Sequence, residues 1–399
     1  MIFPRIPNGS DILDKVSSMK LICNYYIRNY GSVLQSYASF IAIKKFDSRV
    51  TVINYVDRPD NMAKAEIAIR IKTKYLLNFS MLINKIRKII CGDDEYEYIV
   101  SKRGIEFDSF IQKSFIFTQQ YNSPLEIAVN LQEKEIVVIG SDQLWGPEDI
   151  IRDYHTLNWV PTDHKTVSYA TSFGVSELPK FVCERAKRFL KKITCISVRE
   201  SAGVKIVNDL ISRVVPQVCD PTLLLKKQEW ESIASDRMIN EPYIFCFFIG
   251  DNPWQREKAI KLRETTGYKI VAILHLDQYI PSDNGYADYE FNNAGPEDFL
   301  SLIKYAEYVM CDSFHASIFS ILFEKKFLVY NRYAINTFGS RNSRIDSLCQ
   351  KLGLNDRRAN KDDDVILKIS SEIDYLQVNK IIKKWRIESY DYMKKSLEE

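Results

Sequence analysis

Short apolar runs alternate with helical repeats of apolar residues along most of this chain, and each run reads as a strand followed by its helix. The clearest unit is Glu307 to Asn331 (EYVMCDSFHASIFSILFEKKFLVYN), with Tyr308, Val309 and Met310 as a buried strand and a polar break at Asp312. From Ala316, the apolar residues Ile318, Phe319, Ile321, Leu322 and Phe323 recur at helical spacing, and 327–330 reads as the next strand. Upstream, 19–23 is a strand, Asn29 to about Lys45 a helix and 51–55 a second strand, a βαβ opening of the Rossmann kind. Strands also fit 135–139, 165–170, 193–198, 243–248 and 269–274, and helices fit 254–265, a segment from Gly295, 342–352 and 362 to the end.

Two α/β units follow from this pattern and from a length beyond one ordinary core. The first covers 1–225 with a helical insertion at 62–113, and a charged join spans 225–240. The second covers 241–375, and a helix fills 376–399. The fold class is α/β, two Rossmann-like domains facing across a cleft.

Parallel strands deliver their carboxyl ends to one rim, where open α/β sheets bind ligands. Small and polar residues collect there: Asn29, Tyr30, Gly31 and Gln35; Gly140, Ser141 and Asp142; Ser172 and Gly174; Arg199 and Glu200; Asp312, Ser313 and His315. Asp312 or Ser313 can cap the following helix, whose first-turn amides can hold an anion, with His315 beside it as a general acid. Taken one at a time, these residues have plainer readings. Gly31 suits a tight turn, Arg199 and Glu200 suit a charged surface, and His315 suits a capped helix facing its neighbours.

Composition narrows the partners. With 27% charged residues and a formal charge of +3, the chain has no strongly basic footprint for nucleic acid. The eight cysteines show no metal or redox spacing and read as reduced. Four histidines leave little for zinc, and no metal is demanded, although Asp142, Asp220 and Asp312 carry ligating groups. The start shows no signal sequence and no apolar run of membrane length, so a cytoplasmic place is expected. Basic stretches at 69–90 and 380–386 read first as helices packed on the core or as solvated faces. They also fit peripheral docking at the inner face of a membrane.

Six ordered segments together resemble the landmarks of the polysaccharide pyruvyl transferase family: 29–38 (NYGSVLQSYA), 140–145 (GSDQLW), 170–174 (ATSFG), 197–200 (SVRE), 220–222 (DPT) and 312–316 (DSFHA). The resemblance spans roughly 19–354. It implies a fold similar to the GT-B glycosyltransferases and transfer of a pyruvyl (ketal) group from phosphoenolpyruvate to a sugar of a cell-surface or capsular polysaccharide, free or lipid-linked. Phosphoenolpyruvate would be a donor substrate, and no cofactor is implied. By the same resemblance, the first domain takes the acceptor and the second the donor. His315 and Arg199 would be catalytic, Arg344 would help hold the donor, and 29–35 would face the acceptor. In one place the chain departs from the pattern. Where family members look like Arg-Leu-His, it has Ser313-Phe314-His315, so a donor-binding arginine must come from elsewhere, for which Arg199, Arg332, Arg341 and Arg344 are candidates. The competing readings are a GT-B-like glycosyltransferase using a nucleotide sugar and a non-catalytic glycan-binding relative.

Overall fold

The computed structural model describes residues 18–56, 94–275, 280–332 and 342–398, the first seven of the second stretch by backbone alone. The basic stretch at 69–90 and Arg341 lie outside these residues. Two fully parallel sheets carry the fold. The first has the order β3-β2-β1-β4-β5, built from β1 (Met19–Ile22), β2 (Thr51–Asn54), β3 (Phe117–Gln120), β4 (Ile136–Ile139) and β5 (Thr166–Ser168). The second runs β11-β10-β9-β6-β7-β8, from β6 (Tyr243–Phe247), β7 (Lys269–Ala272), β8 (Tyr289–Glu290), β9 (Tyr308–Cys311), β10 (Lys326–Tyr330) and β11 (Arg358–Ala359). Central strands such as Ile136–Ile139 and Tyr243–Phe247 are buried along their whole length, as parallel strands covered by helices on both faces must be. The chain is thus an α/β protein of two Rossmann-like domains.

In each sheet the strand order reverses at one place, between β1 and β4 in the first and between β9 and β6 in the second. Met19 to Ile22 pair with Ile136 to Ile139, and Ile244 to Phe247 with Tyr308 to Cys311, so at each reversal neighbouring strands end side by side. Ligand crevices open at such switch points.

Three differences from the sequence reading are informative. The edge strands β8 and β11 are only two residues long, β8 exposed, and β3 reads Phe-Thr-Gln-Gln, so all three lack the apolar run that marks a strand. Residues 193–198 form only isolated bridges, Val167 to Cys195 and Thr171 to Val198 beyond β5, and Val198 to Gln217 on the outer side. The expected join at 225–240 is a packed seam: Trp230 is fully buried, donates from Nε1 to the Thr222 carbonyl at 2.9 Å and meets Phe319 edge-on at 4.9 Å.

One apolar core runs through both halves, from Met19 and Val52 to Phe299, Phe319 and Phe327. The helix Tyr30–Lys44 is buried on nearly every side because it lies at this seam. Tyr30 stacks on Phe299 at 4.6 Å and donates its hydroxyl to the Ala294 carbonyl at 2.7 Å. The C-terminal helix Tyr375–Glu398 then returns to the first half. Ser389 Oγ accepts from the Cys219 amide at 2.9 Å, and Tyr392 donates to the Ser168 carbonyl at 2.9 Å. Among the described residues, no helix is long and apolar enough to cross a membrane.

Candidate active site

At each switch point an aspartate laces together the two loops that leave neighbouring strands. In the second sheet, Asp312 accepts the backbone N–H groups of Ile249 (2.8 Å) and Gly250 (2.7 Å), which fixes the end of β9 against the end of β6. Ser313 then caps the helix Phe314–Leu322, its Oγ accepting from the Ala316 amide at 3.4 Å. His315 falls in the first turn of that helix. In the first sheet, Asn29 caps the helix Tyr30–Lys44 through the Ser32 amide at 3.3 Å, and Ser32 Oγ donates to Asp142 Oδ2 at 2.7 Å.

The two helix starts meet at His315. A Cβ at Gly31 would lie 2.1 Å from His315 Nδ1, so only glycine lets the first helix approach the ring this closely. On its other side, His315 Nε2 is 3.4 Å from Asp220 Oδ2, close enough for charge attraction though not aligned as a hydrogen bond. Asp220 Oδ2 also accepts from Arg199 Nη1 at 2.8 Å, while its Oδ1 accepts the amide and hydroxyl of Thr222. Arg199 lies over the Phe314 ring at 4.6 Å, and Arg344, from the helix Ser343–Leu352, lies 5.6 Å from the same ring centroid. A small pocket of ≈ 260 Å³, mouth included, opens between Arg199, Glu200, Asp220, Phe314, Arg344 and Trp385.

Charge is concentrated here and almost wholly buried. Burial works to neutralise Arg199, but the carboxylates of Asp220, Glu200 and Asp142 outweigh it and keep the guanidinium charged. Burial likewise works to raise Asp220, yet His315, Arg199 and the Thr222 hydrogen bond hold it well below the usual carboxylate range. Asp142 is lowered in the same way: the charges of Arg199, of His315 when it carries a proton, and of Arg344, with the Ser32 hydrogen bond, outweigh its burial. Several buried polar atoms remain without a hydrogen bond, namely Arg199 Nε and Nη2, Glu200 Oε2 and His315 Nε2. Such atoms are rare in folded proteins and call for an explanation; Arg199 Nε and Glu200 Oε2 face each other as an ion pair at 3.5 Å, and the group as a whole is able to receive the polar atoms of a ligand. His275 offers no second acid, because burial first and then the charges of Arg332, Arg256 and Arg103 push it down to about 4.

The residues singled out in the sequence are distributed unevenly about this point. Gly31, Ser141, Asp142, Arg199, Glu200, Ser313, His315 and Arg344 converge on it or brace it; Ser141 Oγ donates to the Ala170 carbonyl and lies 3.5 Å from Arg199 Nη1. Ser172 braces Glu200 through a short hydrogen bond to Oε1. Tyr30 and Gln35 do not fit an acceptor-facing role. Tyr30 is fully buried in the aromatic seam, and Gln35, also fully buried, donates to the Ser32 carbonyl and Ser36 Oγ. Asp312 has both carboxylate oxygens turned to backbone amides, so it shapes the loop and is closed to a ligand. Gly140 serves packing, since a Cβ there would meet the Ile22 carbonyl at 3.2 Å. Gly174 has a left-handed φ of +69° and abuts Gln143. Asn29 is the half-buried helix cap. Of the arginines considered as replacements at Ser313, Arg332 instead donates to the Asp312 carbonyl at 3.2 Å, and Arg344 lines the pocket.

Two contributors had weak sequence signals. Asp220, in Asp-Pro-Thr, was legible as part of a family landmark and as a ligating group but not as the carboxylate joining Arg199 to His315. Phe314 enters the sequence reading only as part of the 312–316 segment, yet two guanidiniums lie over its ring. Among the described residues, no group of three or more His, Cys, Asp or Glu side chains is placed to hold a metal ion.

The sequence profile of the polysaccharide pyruvyl transferases matches residues 29–332. No curated protein matches the chain in sequence. Among solved structures, the chain is similar to an α,α-trehalose-phosphate synthase (UDP-forming) from Burkholderia vietnamiensis, at 6% identity over 96% of this chain and 99% of that one, with a TM-score of 0.49. It is also similar to a putative UDP-N-acetylglucosamine 2-epimerase from Listeria monocytogenes, at 9% identity over 94% and 91% of the two chains, with a TM-score of 0.47.

Proposed function

From the premise that the chain belongs to the polysaccharide pyruvyl transferase family, we propose that it transfers a pyruvyl group from phosphoenolpyruvate to two hydroxyls of a sugar in a cell-surface polysaccharide. The observation that supports this most is the placing of His315 between two helix starts, with Arg199 and Arg344 over the ring of its neighbour Phe314. The donor carries a carboxylate and a phosphate. Arg344 grips the carboxylate by a charge-assisted hydrogen bond, and the first-turn amides of the helix Phe314–Leu322 receive the phosphate. Arg344 takes the place left by Ser313.

His315 gives a proton to the methylene carbon, which becomes a methyl group and leaves an oxocarbenium-like centre at C2. One sugar hydroxyl adds there, phosphate departs, and the second hydroxyl closes the ketal. Of the two hydroxyl protons, one replaces the proton spent by His315 and one leaves with phosphate. Buried donors already in place need no reorganisation as charge develops. The acceptor approaches from the side of the first domain, free or lipid-linked, and the site would work at the inner face of the membrane.

Calorimetric titration with phosphoenolpyruvate tests this. The native chain binds; Arg344→Ala loses about 10-fold or more in affinity, as expected for a hydrogen bond between charged groups. His315→Ala keeps measurable binding but releases no phosphate when an acceptor is present. Absence of binding by the native chain, or a thermal shift with a nucleotide sugar instead, overturns the reading.

A further inference from the structure

A carboxylate remains at the site whose chemistry the donor does not use. Four acidic side chains lie at the two switch points and the cleft between them, and three are committed. Asp312 is turned to two backbone amides, Asp220 to Thr222 and Arg199, and Asp142 to Ser32. Asp220 and Asp142 are, besides, held in their charged forms by the neighbouring cations and are correspondingly poor bases. Glu200 differs in its hydrogen bonds, although it too is paired with Arg199, Nε to Oε2 at 3.5 Å. Its Oε1 is fixed by the Ser172 hydroxyl, while Oε2 accepts no hydrogen bond although the side chain is only 4% exposed. The residue lines the pocket shared by Arg199, Phe314 and Arg344.

A buried carboxylate oxygen that faces a guanidinium but accepts no hydrogen bond keeps its lone pairs unused, and one rigidly held at a pocket wall is placed to accept a proton. We propose that Glu200 is the general base of the transfer, taking the proton of the sugar hydroxyl that attacks C2. The inference rests on the pyruvyl-transfer reading. In the step, the hydroxyl O–H bond breaks toward Glu200 Oε2 as the hydroxyl oxygen forms its bond to C2. Departing phosphate then removes that proton from Glu200, so the carboxylate is free again when the second hydroxyl closes the ring. The second proton returns to His315. Acid and base thus stand on different domains, His315 after β9 and Glu200 at the start of the helix Ser201–Ile211, with Arg199 and Asp220 between them.

Arg199 bears on Glu200 most directly, its Nε 3.5 Å from Oε2, with Ser172 on the other oxygen. Asp220 and Arg344 share its pocket, while Asp142 and His315 complete the charged groups around Arg199. The test uses phosphate release from phosphoenolpyruvate with p-nitrophenyl hexopyranosides bearing free 4- and 6-hydroxyls as acceptors, alongside calorimetric titration of the donor. Glu200→Gln binds the donor at least as tightly as the native chain, since it removes a negative charge from the cleft, loses about 10²- to 10⁴-fold in kcat and loses the acid limb of its pH profile. Glu200→Ala recovers part of its rate on addition of sodium formate, a response that mere bracing of Arg199 would not give. Three results overturn the inference: Glu200→Gln within tenfold of native kcat, donor affinity lost in both variants, or no phosphate release by a native chain that binds phosphoenolpyruvate. A native chain that does not bind the donor overturns instead the pyruvyl-transfer reading beneath it.

Discussion

Gly31→Ala sets two calculable effects against each other. Gly31 is the second residue of the helix Tyr30–Lys44 and has no positive φ, so the backbone alone would welcome alanine. Helix propensity favours Ala over Gly by roughly 0.8–1.0 kcal/mol in a helix interior, and less so near an end. Against this, the new methyl would sit 2.1 Å from His315 Nδ1, 2.7 Å from Cγ and 3.0 Å from Cε1. Ordinary contact begins at 3.4 Å, so the ring or the helix must move by about 1.3 Å. The ring has little freedom, being 8% exposed, packed edge-on against Phe314 at 5.1 Å and facing Asp220 at 3.4 Å. Overpacking of this kind costs about 1–3 kcal/mol, which exceeds the helix gain.

The variant should therefore melt lower by scanning calorimetry, by a few degrees given about 2–4 °C per kcal/mol for large domains. The larger loss falls on catalysis. A displacement of about 1 Å at a positioned acid can cost around 10²-fold, so kcat/KM for phosphate release should fall at least that far while donor binding declines less. A Gly31→Ala chain that melts at or above the native temperature and turns over at the native rate would refute the close approach of the two helices at His315.

Two other substitutions probe the framework. Asp220→Asn removes a carboxylate whose folded pKa lies far below its unfolded value of about 3.9, so its stabilisation is present at neutral pH and fades as pH falls below about 4. Urea unfolding should show Asp220→Asn less stable than native by about 3 kcal/mol at pH 7, with the gap narrowing at pH 3; a gap that holds or widens in acid contradicts the ion pair with Arg199 and His315. Tyr30→Phe should lower stability by about 0.5–1.5 kcal/mol through loss of the hydroxyl bond to Ala294 and leave phosphoenolpyruvate affinity unchanged. Loss of donor affinity in Tyr30→Phe would return Tyr30 to the substrate side of the cleft.

The alternating pattern made both sheets legible because their central strands are apolar along their length and are followed by amphipathic or buried helices. Edge strands such as Tyr289–Glu290 escaped because only pairing, and no side-chain pattern, defines them. At the site, residues that follow a strand directly were visible, Gly31 among them, though the turn it suits is in fact a helix that needs glycine to approach His315. The roles within the cluster were not, since they depend on distances across the seam. Asp220 gains its meaning from His315, 95 positions away in the chain, and Arg344 from Phe314. Tyr30 and Gln35 misled for the converse reason: polar atoms in a motif suggest a ligand, whereas Tyr30 finds its partner across the seam, in the Ala294 carbonyl, and Gln35 within its own helix, in Ser32 and Ser36.

The balance of charge in the cleft ties donor binding to the acid. Three carboxylates, Asp142, Glu200 and Asp220, face two guanidiniums, Arg199 and Arg344, so with a neutral imidazole the side chains sum to one negative charge. The two helix starts offset this by roughly half a charge each, which leaves little to attract a donor carrying a carboxylate and a phosphate. A proton on His315 restores the attraction and is also the proton the reaction needs. Binding should then draw a proton from solution onto His315. Calorimetric titration in buffers of different ionisation enthalpy measures that uptake directly: at a pH where the free imidazole is mostly neutral, up to one proton should enter with each phosphoenolpyruvate, and none in His315→Gln. Equal binding enthalpies in all buffers at such a pH would show that the donor is held without loading the acid, and the charge balance would then have to come from another group.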